Sequence, residues 1–143
     1  MPISRTTFIA LATVMAAAVM AAAATSATAA PRINCTTASS TFEMNDCAER
    51  DFSAADAKLN SVYQRSLAAV PDMAFEKPYD TKSWIAALRN SQRAWVAFRD
   101  AECKNHVAMF WTGGTGATVD ILGCMTEKTR ARTKDLIDHY IDR

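Results

Sequence analysis

The sequence has almost no surplus of charge: 16 Lys and Arg stand against 15 Asp and Glu in 143 residues. The basic excess that would hold a phosphate backbone is missing, as is the acidic tract of a disordered tail, so no nucleic-acid partner is expected. Glycine and proline are scarce at four each, which excludes collagen-like and low-complexity chains. The two histidines, His106 and His139, have no ligand-like spacing, and no Cys-x-x-Cys pair occurs, so neither a metal nor a cofactor is signalled. No Gly-Lys-Ser/Thr follows the glycines, which argues against a phosphate-binding loop. One small domain is the default at this length.

Only the N-terminus carries a long apolar run. Arg5 precedes an acid-free, Ala-rich stretch over residues 8–24, and Ala27-Thr28-Ala29 has the small-x-small form of a cleavage site just before Pro31. This pattern predicts a secretory signal over residues 1–29 and a mature domain over residues 30–143. The competing reading is a membrane anchor, but about seventeen Ala-dominated residues make a short and weakly apolar span. Arg32-Ile33-Asn34 before Cys35 does not form a lipid-attachment site. The expected product is periplasmic or secreted, without membrane contact once the signal is removed.

Cys35, Cys47, Cys103 and Cys124 all lie in the mature part. An even count in a small exported chain predicts two disulfides, with three connectivities open. With no cysteine left over, a catalytic thiol is not expected.

Three segments show helical periodicity. The first covers residues 41–70, with Ser40 and Glu43 as a capping box and Pro71 as its stop. Its stripe is Met44, Ala48, Phe52, Ala55, Leu59, Val62 and Ser66. The second covers residues 81–110, capped by Asp80, with a stripe through Trp84, Leu88, Gln92, Trp95, Arg99, Cys103, His106 and Phe110. The third covers residues 118–141, with Ile121, Met125, Leu136, Ile137 and Tyr140 as apolar contacts. Short connections favour antiparallel neighbours. The fold class predicted is all-α: an antiparallel up-down-up bundle of three long helices, stapled by two disulfides.

Polar residues interrupt these stripes. Gln92 and Arg99 fall inside the apolar arc of the second segment, while Asp56 and Asn60 edge that of the first. With the helix ends level, Asp56 faces Arg99 and Asn60 faces Gln92. A buried guanidinium requires a carboxylate, since desolvating it alone costs several kcal/mol. The four residues are therefore expected to form a buried structural network that fixes register, in preference to a catalytic pair. Asp100 and Glu102, two apart on a helix, diverge too far to share a substrate. No enzyme is expected. The same geometry brings Cys103 level with Cys124 and leaves Cys47 near Cys35. Cys35–Cys47 with Cys103–Cys124 is the preferred pairing, and Cys47–Cys103 with Cys35–Cys124 remains open.

Several blocks together carry a resemblance: Cys35, Met44-Asn45-Asp46-Cys47-Ala48, Ala55-Asp56 with Leu59-Asn60 and Tyr63, then the run from Ser91-Gln92-Arg93-Ala94-Trp95 through Phe98-Arg99-Asp100-Ala101-Glu102-Cys103. Gly113-Gly114-Thr115, Cys124, Thr129, Arg132 and Leu136 complete it. In this order they resemble the LprI-type lysozyme-inhibitor family of small exported bacterial proteins. The resemblance implies an all-helical, disulfide-bonded domain with a protein partner, possibly a lysozyme whose cleft it occludes. The family's naming member resembles a lipoprotein, and tethering does not carry over to a chain without the lipid-attachment pattern.

The candidate partner-binding loop is Trp111, Thr112, Gly113, Gly114, Thr115 and Gly116, which is small, hydroxyl-rich and flanked by an aromatic anchor. Its hydroxyls and amides suit the carboxylates of a glycosidase. The plainer reading is a helix–helix turn whose glycines adopt positive φ. Alternatives to lysozyme inhibition are an immunity or adaptor protein for another envelope or toxin partner, and a scaffold that self-associates through an exposed Trp111 or Phe75. A monomer or weak oligomer is expected.

Overall fold

A computed structural model describes residues 32–142; the expected secretory signal lies outside the described residues. All regular structure among these residues is helical, and none is long and apolar enough to cross a membrane. Helix α1 spans Thr41–Ala69. Ser40 opens it with a full capping box: its hydroxyl accepts from the Glu43 amide, and the Glu43 carboxylate reaches back to the Ser40 amide. The chain leaves α1 through a 3-10 turn, Val70–Asp72, that contains Pro71. Helix α2 spans Thr81–Asp100 and starts on Asp80, whose carboxylate accepts from the Ser83 amide at 2.8 Å.

The second periodic segment is not one uniform α-helix. A π-helical segment, Ala101–His106, follows α2, and a short helix α3, Val107–Trp111, completes it. Helix α4, Ala117–Tyr140, is the last.

The core joins all three long helices. Leu59, Val62, Val70, Leu88 and Leu136 form its centre, with Trp84, Ile85, Trp95, Ile137 and Tyr140 packed against it. Ala55 and Ser66 of the α1 stripe are buried as the periodicity implies, whereas Met44 is exposed. The buried face of α4 carries threonines where the sequence reading listed only aliphatic and aromatic contacts: Thr126, Thr129 and Thr133 lie among Leu122, Met125 and Leu136. Thr126 and Thr133 each donate to the carbonyl one turn earlier, Leu122 and Thr129, at 2.8 Å. This local bonding is what permits a hydroxyl in an apolar interior.

Side-chain contacts fix which stretches meet. Trp84 donates to the Tyr140 hydroxyl, Arg132 reaches Ser91 and Gln92, Cys103 bonds Cys124, and Trp111 donates to Asp120. Along this ladder the numbers rise on one side as they fall on the other, so α2 and α4 run in opposite directions. Between α1 and α4 the order is the same on both sides: Met44 and Ala48 line a groove with Val119 and Gly123, and Ala55 and Lys58 line one with Arg130 and Thr133.

Candidate functional site

Two places gather the residues singled out in the sequence. The first is the polar seam around Arg99. The Arg99 side chain is only 8% exposed and meets two carboxylates, Asp56 and Asp100, which are 38% and 33% exposed. Nη1 lies 3.1 Å from Asp56 Oδ1 and 3.3 Å from the hydroxyl of buried Thr129. Nε and Nη2 approach Asp100 Oδ1 at 3.0 and 2.9 Å. The guanidinium carbon sits 5.3 Å from the Phe52 ring centre and 5.2 Å from that of Trp95, within cation–π range. All three guanidinium nitrogens are therefore engaged. Burial works against the charge on Asp100, but hydrogen bonds from Lys104 and Arg99 outweigh it and hold the carboxyl below its usual range.

The expected Asn60–Gln92 contact is not present. Asn60 donates to Asp56 Oδ2 at 3.0 Å along its own helix, and Gln92 accepts from Arg132 Nε at 3.1 Å. The reasons are geometric. Asn60 is one turn from Asp56 and needs no crossing between helices. Gln92 faces a guanidinium from α4, which an argument confined to the first two helices leaves out. Nor is the whole set buried: Asn60 is exposed, and Asp56 and Gln92 are half-buried. Asp100, Thr129 and Arg132 were missed as members. The position of Asp100 next to Arg99 was the one available signal.

The second place is the end where α3 turns into α4. Thr112 and Gly113 adopt φ values of 45° and 88°, which stop α3; only the glycine does so without steric penalty. The Gly114 amide donates to the Trp111 carbonyl at 2.7 Å. Trp111 is held within the turn by two contacts. Its indole Nε1 donates to Asp120 at 2.8 Å, and its ring covers Gly116 so closely that a Cβ there would lie 2.3 Å from ring carbons. Trp111 is half-buried and anchors its own loop, leaving Thr112, Gly113, Gly114 and Thr115 exposed.

That contact gives a direct prediction. Gly116 has φ −78° and ψ −11°, open to any residue, so the only obstacle to a side chain is the ring. Gly116→Val is expected to expel the indole, red-shifting tryptophan emission and increasing acrylamide quenching. Spectra identical to wild type would show that the ring does not rest there.

Both ends of the loop stand on a disulfide. Cys103 bonds Cys124 with Cα atoms 5.6 Å apart, and Cys103 is fully buried. Cys35 bonds Cys47 with Cα atoms 5.7 Å apart, and Arg50 bridges the site by donating to the Ile33 carbonyl and to both sulfurs. No cysteine is free, and among the described residues no cluster of His, Cys, Asp or Glu forms a metal-ligand set. Two disulfides belong to an oxidising compartment outside the cytoplasm.

Comparison with known proteins bears on the same region. An uncharacterized protein of Rhizobium meliloti (strain 1021) is 36% identical over 110 residues, which cover 74% of this chain and 78% of that protein. The uncharacterized protein YecT of Escherichia coli (strain K12) is 31% identical over 99 residues, 65% of this chain and 60% of that protein. No solved structure matches. A family model described as "Lysozyme inhibitor LprI" matches residues 33–136, a range that includes both disulfides, the Arg99 cluster and the loop after α3. The chain belongs to the LprI lysozyme inhibitor family.

Proposed function

We propose that this protein is a periplasmic or secreted inhibitor that docks on a peptidoglycan-cleaving lysozyme and blocks its cleft with the end formed by residues 111–116. The observation that carries this reading is the family match, which runs through a loop already fixed by the Trp111–Asp120 bond and the buried Cys103–Cys124 bridge. A pre-ordered element loses little entropy on docking. Behind it, the opposed α2–α4 contacts and the like-ordered α1–α4 grooves support an up-down-up bundle. In this reading Asp56, Gln92 and Arg99 act within the fold as a register device through the bonds Arg99–Asp56, Arg99–Thr129 and Arg132–Gln92, with Asn60 bracing Asp56 along its own helix.

The test is an inhibition titration. The oxidised protein is expected to slow a susceptible lysozyme stoichiometrically at submicromolar concentration. Replacing residues 113–116 with a longer polar linker should abolish the effect while far-UV circular dichroism shows that the helices are retained. Full lysozyme activity at a large excess of the wild-type protein would refute the proposal.

A second reading, an adaptor or immunity protein for another envelope or toxin partner, is favoured by one observation. At the far end, Phe75, Pro78 and Tyr79 form an apolar pocket of about 730 Å³ with Trp84 and Ala87. Such a protein would leave lysozymes untouched and retain a different partner through Phe75 and Tyr79.

A further inference from the structure

Charge is spread unevenly along a chain that is nearly neutral in sum. Between Asp56 and Asp72 the charged side chains are Lys58 and Arg65; between Asp80 and Asp100 they are Lys82, Arg89, Arg93 and Arg99. The second half of α1 and nearly all of α2 therefore carry cations without acids. Arg99 is answered by Asp56 and Asp100. Arg89 and Arg93 are not. Arg89 has no hydrogen-bond or ion-pair partner among the described residues, and Arg93 donates to the neutral side-chain oxygen of Asn90.

Four residues apart, the two arginines share one face of α2. They flank a cleft of about 290 Å³ between α1 and α2 that Tyr63, Gln92 and Val96 also line. Tyr63 is half-buried and packs against the core, so its ring and Val96 give the cleft an apolar wall. Gln92 supplies the decisive group. A guanidinium only donates, so the 3.1 Å bond from Arg132 Nε takes the Gln92 amide oxygen. The amide NH2 is left over, and it has no acceptor among the described residues. The Tyr63 hydroxyl has no partner there either. Every polar side chain lining the cleft thus has a donor to offer, and none is a carboxylate. The flanking acids are placed elsewhere. Asp56, seven residues before Tyr63, holds Arg99 at 3.1 Å, and Asp135, three after Arg132, lines a separate cavity with Trp84 and His139.

We propose that this cleft binds a small organic oxyanion: a carboxylate or phosphate held by Arg89, Arg93 and the Gln92 amide, on an apolar body that lies against Tyr63 and Val96. The planar guanidinium fork matches either headgroup bidentately. A volume of about 290 Å³ stands at the small end of ligand pockets and suits one ring with its headgroup. The site shares no residue with the loop at 111–116, so it stands apart from the inhibitor reading.

The experiment titrates phenyl phosphate, benzoate, neutral benzamide and inorganic phosphate into the isotope-labelled, oxidised protein and follows the backbone amide shifts of residues 63, 92, 93 and 96. Phenyl phosphate, benzoate or both should bind at millimolar concentration, and whichever binds identifies the headgroup. Benzamide should not bind. Arg89 and Arg93 are exposed, so R89Q/R93Q keeps the fold, and it should weaken binding about tenfold or more. Q92E keeps an acceptor for Arg132 but puts a carboxylate where the amide donor stood, and it should abolish binding. R65Q/K82Q removes the same charge outside the cleft and should bind as wild type does. Unchanged amide shifts with both organic anions overturn the proposal, as does equal binding by wild type and R89Q/R93Q. An equal loss in R65Q/K82Q also overturns it, since the effect is then one of overall charge. So does inorganic phosphate that binds as tightly as the organic anions, because the apolar body then contributes nothing.

Discussion

Replacing both Asp56 and Asp100 by asparagine is expected to destabilise the fold by about 3–5 kcal/mol, the range for leaving a buried charge without its partner. Arg99 is the deeply buried member of the cluster, and its two acids lie nearer to water. Asp56→Asn alone leaves the Asp100 carboxylate 2.9 Å from Nη2 and Thr129 on Nη1. Either single change should therefore cost much less, about 1 kcal/mol, and the two should be strongly non-additive. Arg99→Met should fall in between. It removes the charge that is expensive to strand, frees two carboxylates that can rehydrate, and forfeits the contacts with Phe52 and Trp95. Urea unfolding of the double-mutant cycle measures all of this, and additive single effects would contradict a shared cation.

Protonation should act on the same cluster. The Asp100 carboxyl is held below its usual range in the folded protein, so the folded state binds protons less readily than the unfolded chain there. The stability it contributes is complete above the unfolded carboxylate value, about 3.9. It is lost as pH falls through the lower folded value. Asp100→Asn should flatten this acid limb of the stability profile.

Removing the buried disulfide, as Cys103→Ala with Cys124→Ala, should lower stability by about 3 kcal/mol in the chain-entropy picture. The bridge closes a separation of 21 residues and ties the π-helical segment to α4 inside the core. The other bridge closes 12 residues, and Cys35 lies in the exposed lead-in before α1. Without it the chain can open locally, so its loss should be felt as fraying of the first turns more than as global unfolding. Melting curves of the two double variants, with hydrogen exchange at residues 41–50, separate the cases. A larger drop for the Cys35–Cys47 variant would reverse this ranking.

Much of this protein is legible in its amino-acid order. Ser40-x-x-Glu43, Asp80 and Pro71 marked helix ends, because capping is a local exchange between a side chain and nearby amides. Asp56 and Arg99 could be paired because a cation inside an apolar stripe must find an acid. A single helical period does not persist through the second segment. Nothing in Ala101-Glu102-Cys103-Lys104-Asn105-His106 announces a π-helical turn, and an unbroken period puts Phe110 on the buried side, where the structure has it exposed. Asn60 and Gln92 do not meet because Gln92 turns to Arg132 of the last helix, a partner that lies far off in the sequence. The tie of Trp111 to Asp120, nine residues on, has no local signal, because it depends on how the turn closes.

The amino-acid order by itself determined the helical class, the helix ends, the even set of cysteines and the need of Arg99 for an acid. These follow from periodicity, local capping and the desolvation of charge, all of which act over a few residues or on one side chain. Tertiary structure alone decided which acids and hydroxyls meet around Arg99, that Trp111 turns inward and that Met109 and Phe110 turn outward. Those outcomes depend on the rotation of one helix against another, and a single wide turn resets that rotation for every residue after it.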